Sequence, residues 1–142
     1  MLEKEYKKCP KYDVKIIIGD FNAKVGREEV WKPIIGKHSL HTESNDNGTK
    51  LISFATSLNM VIGSTLYPHR DIHKGTWKSP DGNTVNQIDH VLIDRLHVNN
   101  LQDVRNHIGV DINSDHYLVI VKIIAKINRQ PIIKKKDRME KI

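Results

Sequence analysis

The sequence predicts a mixed α/β protein rich in strands, and three observations carry that reading. Short β-branched or aliphatic runs recur at 14–18, 60–62 and 117–123, lengths that suit buried strands and fall short of helices. Between the first two, Leu51, Phe54, Ala55 and Leu58 stand at i, i+3, i+4 and i+7, one apolar stripe along a helix. Turn-forming residues, most densely Ser79-Pro80-Asp81-Gly82-Asn83, separate the remaining apolar stretches.

Taken in order, Leu2, Tyr6 and Cys9 fall at helical spacing, and Pro10 ends that helix because proline cannot continue it. The Val14–Ile18 run reads as a strand buried on both faces. Gly19 closes it, and a loop with Gly26, Pro33 and Gly36 follows. Ser44-Asn45-Asp46-Asn47 supplies capping side chains for the helix behind it. Met60–Ile62 is the next strand, bounded by Gly63 and Pro68. Residues 74–78 and 85–93 are expected to form an antiparallel hairpin around the Pro-Asp-Gly turn. A loop over 94–101, a short strand near 103–108 and a mostly buried strand at 117–123 complete the pass.

At 142 residues the chain accounts for one domain at most. Apolar residues make up 38% and charged residues 28%, a balance that argues against disorder. No apolar run approaches the roughly 20 residues of a membrane span, and the start, MLEKEYKK, lacks a secretory core. Cys9 is the single cysteine, so neither a disulfide framework nor a cysteine-based zinc site can be built. An intracellular setting is expected. The net charge of +6 favours an anionic partner. Half of it lies in residues 131–142, where Lys134, Lys135, Lys136, Arg138 and Lys141 outnumber Asp137 and Glu140 by three. That segment reads as a basic tail to a domain over 1–130.

Three polar clusters stand at the ends of apolar strands. In Gly19-Asp20-Phe21-Asn22, residues i and i+2 of extended chain share a face, so Asp20 and Asn22 are expected to converge. A simple strand-ending turn would use the same residues. In Gln87-Ile88-Asp89-His90, Asp89 interrupts an apolar alternation, and a buried carboxylate needs a partner. A solvent-facing place on an edge strand would also accommodate it. Ser114-Asp115-His116 precedes the run from Tyr117, and offers either a carboxylate and an imidazole or a plain capping turn. Together the clusters deliver Asp, Asn and His to one edge of a sheet. Those types suit phosphodiester hydrolysis, which uses a divalent cation on hard oxygen ligands, a base for water and donors for phosphate oxygens. They do not suit a serine or cysteine nucleophile, since no Gly-x-Ser-x-Gly elbow is present.

The order Gly19-Asp20-Phe21-Asn22-Ala23, Asn47-Gly48, Gly75-Thr76-Trp77, Ile88-Asp89-His90 and Ser114-Asp115-His116 resembles the endonuclease/exonuclease/phosphatase superfamily. It is most similar to the apurinic-like endonucleases of non-long-terminal-repeat retrotransposons, over about residues 13–123. The resemblance implies part of a four-layer α/β sandwich of the DNase I type, a mostly antiparallel mixed sheet with flanking helices. It implies Mg²⁺-dependent cleavage of DNA, with Mn²⁺ as a substitute ion, in a nuclear setting. Asp20 would orient or deprotonate the attacking water, and Asn22 would bind the scissile phosphate. Asp89 would pair with His116, which would contact a phosphate oxygen. Asp115 would lie near the metal and help ligate it. Thr76 and Trp77 match a segment that lies along nucleic acid, although core packing is the plain alternative for Trp77. Lys134, Lys135 and Lys136 would add charge toward DNA.

In that family an Asn, a Tyr and the principal metal-binding Glu precede the Asp-Phe-Asn motif. Glu3 and Glu5 lie on the first helix and do not match that Glu. The chain is therefore expected to correspond to the C-terminal half of such a domain, with an uncovered apolar sheet face open to self-association. A competing expectation is a catalytically inactive fragment that binds nucleic acid weakly through its tail. A lipid or nucleotide phosphatase within the same superfamily is the remaining option.

Overall fold

A computed structural model describes residues 2–8, 13–108 and 114–124. The Cys9-Pro10 helix end, the junction at 109–113, and the basic tail with Lys134, Lys135 and Lys136 lie outside the described residues. The elements in order are α1 (Leu2–Lys8), β1 (Ile16–Asp20), α2 (Asp46–Ser57), β2 (Met60–Ile62), β3 (Trp77–Lys78), β4 (Val85–Asn86), β5 (Asp89–Asp94), β6 (Leu101–His107) and β7 (Leu118–Ile123). Short 3₁₀ turns fill the loops, the longest at Arg95–Asn100. Every registered strand pair is antiparallel. The fold is mixed α/β, with antiparallel sheets and flanking helices.

The main sheet has the order β1-β5-β2, and its central strand divides the core. Leu92 packs with Leu51, Ile52 and Ala55 of α2, with Leu58 at its C-terminal cap, and with Met60 and Ile62 of β2. Val91 and Ile93, one residue off in register, pack on the opposite side with Leu101 and Val104 of β6. Side chains alternate across a strand, so a run of consecutive buried residues requires cover on both faces. Here α2 covers one face and the β6–β7 sheet the other, giving helix, sheet and sheet in layers. Asp89, for which a place on an edge strand was the plain alternative, begins this central strand.

The start of α2 shows how the loops are tied down. The Asn45 side chain accepts from Gly48 N at 2.8 Å and from Lys24 N at 3.1 Å, capping the helix and fastening the loop after β1. A Cβ at Gly48 would stand 1.9 Å from the Lys24 carbonyl oxygen, so only glycine permits that approach. The predicted stripe holds, with Leu51, Ala55 and Leu58 buried and Phe54 packed beside them.

Three expectations change. β1 is not buried on both faces, because Ile18, on the face it shares with Asp20, is 60% exposed. β7 alternates: Val119 and Val121 pack inward, while Leu118 and Ile120 face out. The apolar pattern of 117–123 alone could not tell one covered face from two. The hairpin is also far shorter than 74–78 with 85–93, since only Trp77↔Asn86 and Lys78↔Val85 pair. Beyond it, buried Gln87 turns the chain away. Its Oε1 accepts from Leu40 N at 3.0 Å and its Nε2 donates to Ser64 O at 3.2 Å, and β5 then pairs with β1 and β2.

Candidate functional site

Asp20 ends β1 and Asp89 begins β5, and the two are direct cross-strand partners. Opposed residues of an antiparallel pair project from the same face, here the face turned toward the β6–β7 sheet. His116, in the segment leading into β7, bridges to Trp77 of β3 and enters between the two carboxylates. Its Nδ1 is 2.9 Å from Asp89 Oδ2, and its Nε2 is 3.6 Å from Asp20 Oδ2. The three residues meet where the two sheets meet.

A carboxylate only accepts, so the His116–Asp89 hydrogen bond places a proton on Nδ1 and leaves Nε2 facing Asp20. Burial opposes charge on this imidazole. The Asp89 hydrogen bond and the charges of Asp89, Asp20 and Asp115 outweigh it, and the pKa is raised. The side chains are 49%, 21% and 31% exposed for Asp20, Asp89 and His116, so the cluster is open to a ligand. Their ligand atoms all lie within 4.8 Å of one another, a spacing and donor set that fit a divalent cation.

Asn22 departs from the extended-chain argument. The strand ends at Asp20, and Asn22 has φ 47°, so the two-residue alternation no longer applies. Instead Asp20 Oδ1 accepts from Asn22 N at 2.9 Å, and Asn47 Nδ2 donates to Asn22 O at 2.9 Å. Asn22 is exposed beside Asp20, held by a residue that sequence reasoning placed only at a helix start. Asp115 is exposed and lies outside the three-residue set. Its Oδ2 accepts from the Trp77 indole Nε1 at 3.1 Å. Trp77 is partly exposed. Thr76, by contrast, is only 3% exposed, so its side chain offers nucleic acid no surface. Its hydroxyl accepts from Ile88 N and Asp89 N at 3.0 and 3.1 Å.

His90, next to Asp89, belongs to the core. Its Nε2 donates to Ala23 O and its Nδ1 accepts from Ser64 Oγ, both at 2.7 Å. Burial holds its pKa below the ordinary imidazole value, so it serves as a neutral strut. His41 takes a similar part behind the site, accepting from Gln87 N at 3.0 Å.

The fold is endonuclease-like. A solved structure described as the endonuclease domain of TRAS1, a telomere-specific non-LTR retrotransposon, superimposes with a TM-score of 0.57 over 89% of this chain and 49% of that one. Sequence identity there is 17%, so the likeness is one of fold. Among individual proteins, the chain is 38% identical over 122 residues to craniofacial development protein 2 of Tragulus javanicus and of Bos taurus. Those alignments take in 86% of this chain and about a fifth of each relative, 21% and 20%. No protein-family model matches. Among the described residues no helix is long and apolar enough to cross a membrane.

Proposed function

We propose that this chain acts in metal-dependent hydrolysis of DNA phosphodiesters, as the part of a nuclease domain that carries Asp20, Asp89 and His116. The observation that supports it is the convergence of an imidazole with two carboxylates at the meeting of two sheets, in an endonuclease-like fold. Water adds to phosphorus and one ester P–O bond breaks. The proton of water passes to the Asp20 carboxylate, and the departing oxygen is protonated from solvent. His116, fixed through Nδ1 by Asp89, presents an N–H to a non-bridging phosphate oxygen when protonated, and Asn22 adds a neutral donor. Asp115, beside the cluster, would help hold Mg²⁺ or Mn²⁺, which would supply positive charge for the phosphate oxygens. Trp77, and the positive charge of Lys134, Lys135 and Lys136 outside the described residues, are assigned to DNA as well. The setting that fits a DNA substrate is the nucleus.

The test is Mg²⁺-dependent nicking of supercoiled plasmid by the chain and by an Asp20→Ala, His116→Ala double variant. Nicking that the double variant abolishes supports the proposal; equal background signals from both overturn it for this polypeptide. A second reading, nucleic-acid binding without cleavage, is supported by the net charge of +6. It predicts salt-sensitive DNA binding that survives in the double variant. Self-association is proposed as well, through the outward Leu118 and Ile120 of β7, each 42% exposed.

A further inference from the structure

We infer that Thr76 is a positioning residue for the Asp89–His116 pair, gripping both partners from a buried place between them. The inference rests on the pair being the working site, but its test reads the geometry of the pair and not DNA cleavage.

The two partners arrive from distant parts of the chain. Asp89 starts β5 in the main sheet, while His116 precedes β7 in the other sheet. Neither sheet's ladder joins them. Thr76 does so with three different groups. Its Oγ1 takes the amides of Ile88 and Asp89 at 3.0 and 3.1 Å. Its carbonyl accepts from Tyr117 N at 2.8 Å, one residue past His116. Its own amide donates to Asn86 O at 2.8 Å, which closes the hairpin on the Asp89 side. The next two residues extend the grip, since Trp77 bridges His116 and Lys78 N donates to Asp115 O at 3.0 Å.

The anchor continues into the second sheet. Asn106 of β6 is 1% exposed, and its Nδ2 donates to Ile72 O at 2.8 Å and to Gly75 O. The segment entering Thr76 is thus pinned to the layer that carries His116. A hydroxyl accepting two amides in a buried place cannot be replaced by water without opening the packing, and buried amides left unpaired cost free energy. Losing the hydroxyl frees the first residues of β5, and with them the aim of the Asp89 carboxylate at His116 Nδ1. The side-chain methyl cannot make either bond, so the hydroxyl alone carries this role.

The experiment compares Thr76→Val, which keeps the shape and removes the hydroxyl, with Thr76→Ser, which keeps the hydroxyl. The readout is the ¹⁵N shifts of the His116 ring at one fixed pH where the ring is neutral, with Asp89→Ala as the reference for an imidazole without its carboxylate. Expected are a dominant Nδ1–H tautomer in the wild type and in Thr76→Ser, and a tautomer balance in Thr76→Val shifted to that of Asp89→Ala. A folded Thr76→Val protein with the wild-type tautomer balance overturns the inference. If Val at 76 prevents folding, amide hydrogen exchange in the unaltered protein decides. Protection of the Asp89 amide comparable to that of Leu92 supports the Thr76 grip, and exchange as fast as at the exposed turn residue Asn83 overturns it.

Discussion

Mild acid should loosen the structure behind the site through His41. Its Nε2 accepts the Gln87 amide at 3.0 Å, and a protonated ring has no lone pair to do so. Burial, followed by the charges of Lys24, His90 and Arg27, lowers its pKa from 6.5 to about 4. A base with a depressed folded pKa contributes stability that is complete above its unfolded value and is lost as pH falls from about 6.5 toward 4. Lowering the pKa from 6.5 to about 4 corresponds to about 3.4 kcal/mol. The ring is only half-buried, so solvent screening reduces this to about 1–2 kcal/mol. At about 4 °C per kcal/mol for a domain of this size, the melting temperature should fall by about 4–8 °C from this group. Burial also lowers the pKa of His38, His73 and His90, so acid destabilisation has other sources. The assay therefore compares the wild type with His41→Gln, whose amide oxygen can accept the Gln87 N–H at every pH. Thermal melts at pH 7.5 and pH 4.5 should show a smaller loss in the variant by the stated amount. Parallel losses in the two proteins would refute the reasoning.

Asn45→Ala should destabilise by about 1–2 kcal/mol, the cost of a lost helix cap, because Gly48 N and Lys24 N both lose their acceptor. Asn45→Asp should recover most of it, and urea melts with unchanged slope check both. Self-association through β7 should appear in sedimentation velocity as a concentration-dependent species that Leu118→Lys, Ile120→Lys removes; a monodisperse monomer at all concentrations would count against it.

Much of the site could be read from the sequence because its residues violate local pattern. Asp20, Asp89 and His116 each stand where an apolar strand stops or starts, and polar groups placed there invite a common cause. Their convergence also needs a register, Asp20 opposite Asp89, which depends on pairing between residues far apart in the chain. The same limit explains the hairpin. A continuous β-like stretch from 85 to 93 shows no break, because the turn at Gln87 is made by hydrogen bonds to Leu40 and Ser64, residues with no local signal toward 87. The exposure of Ile18 and of β7 likewise depends on which neighbours lie beside each strand.

Histidine makes the distinction sharpest. His90 and His116 each follow an aspartate directly in the sequence, and residue type cannot separate them. His90 is 1% exposed, with both ring nitrogens committed to Ser64 and Ala23 and its pKa lowered by burial. His116 keeps a third of its surface, holds one nitrogen against Asp89, and has its pKa raised by three carboxylates. The first can only brace the core. The second turns Nε2 toward Asp20 on the open side and is poised to carry charge, as the proposed contact with a phosphate requires. What separates them is the strand position of each: His90 points into the α2 core beside Leu92, whereas His116 lies on the open seam between the sheets.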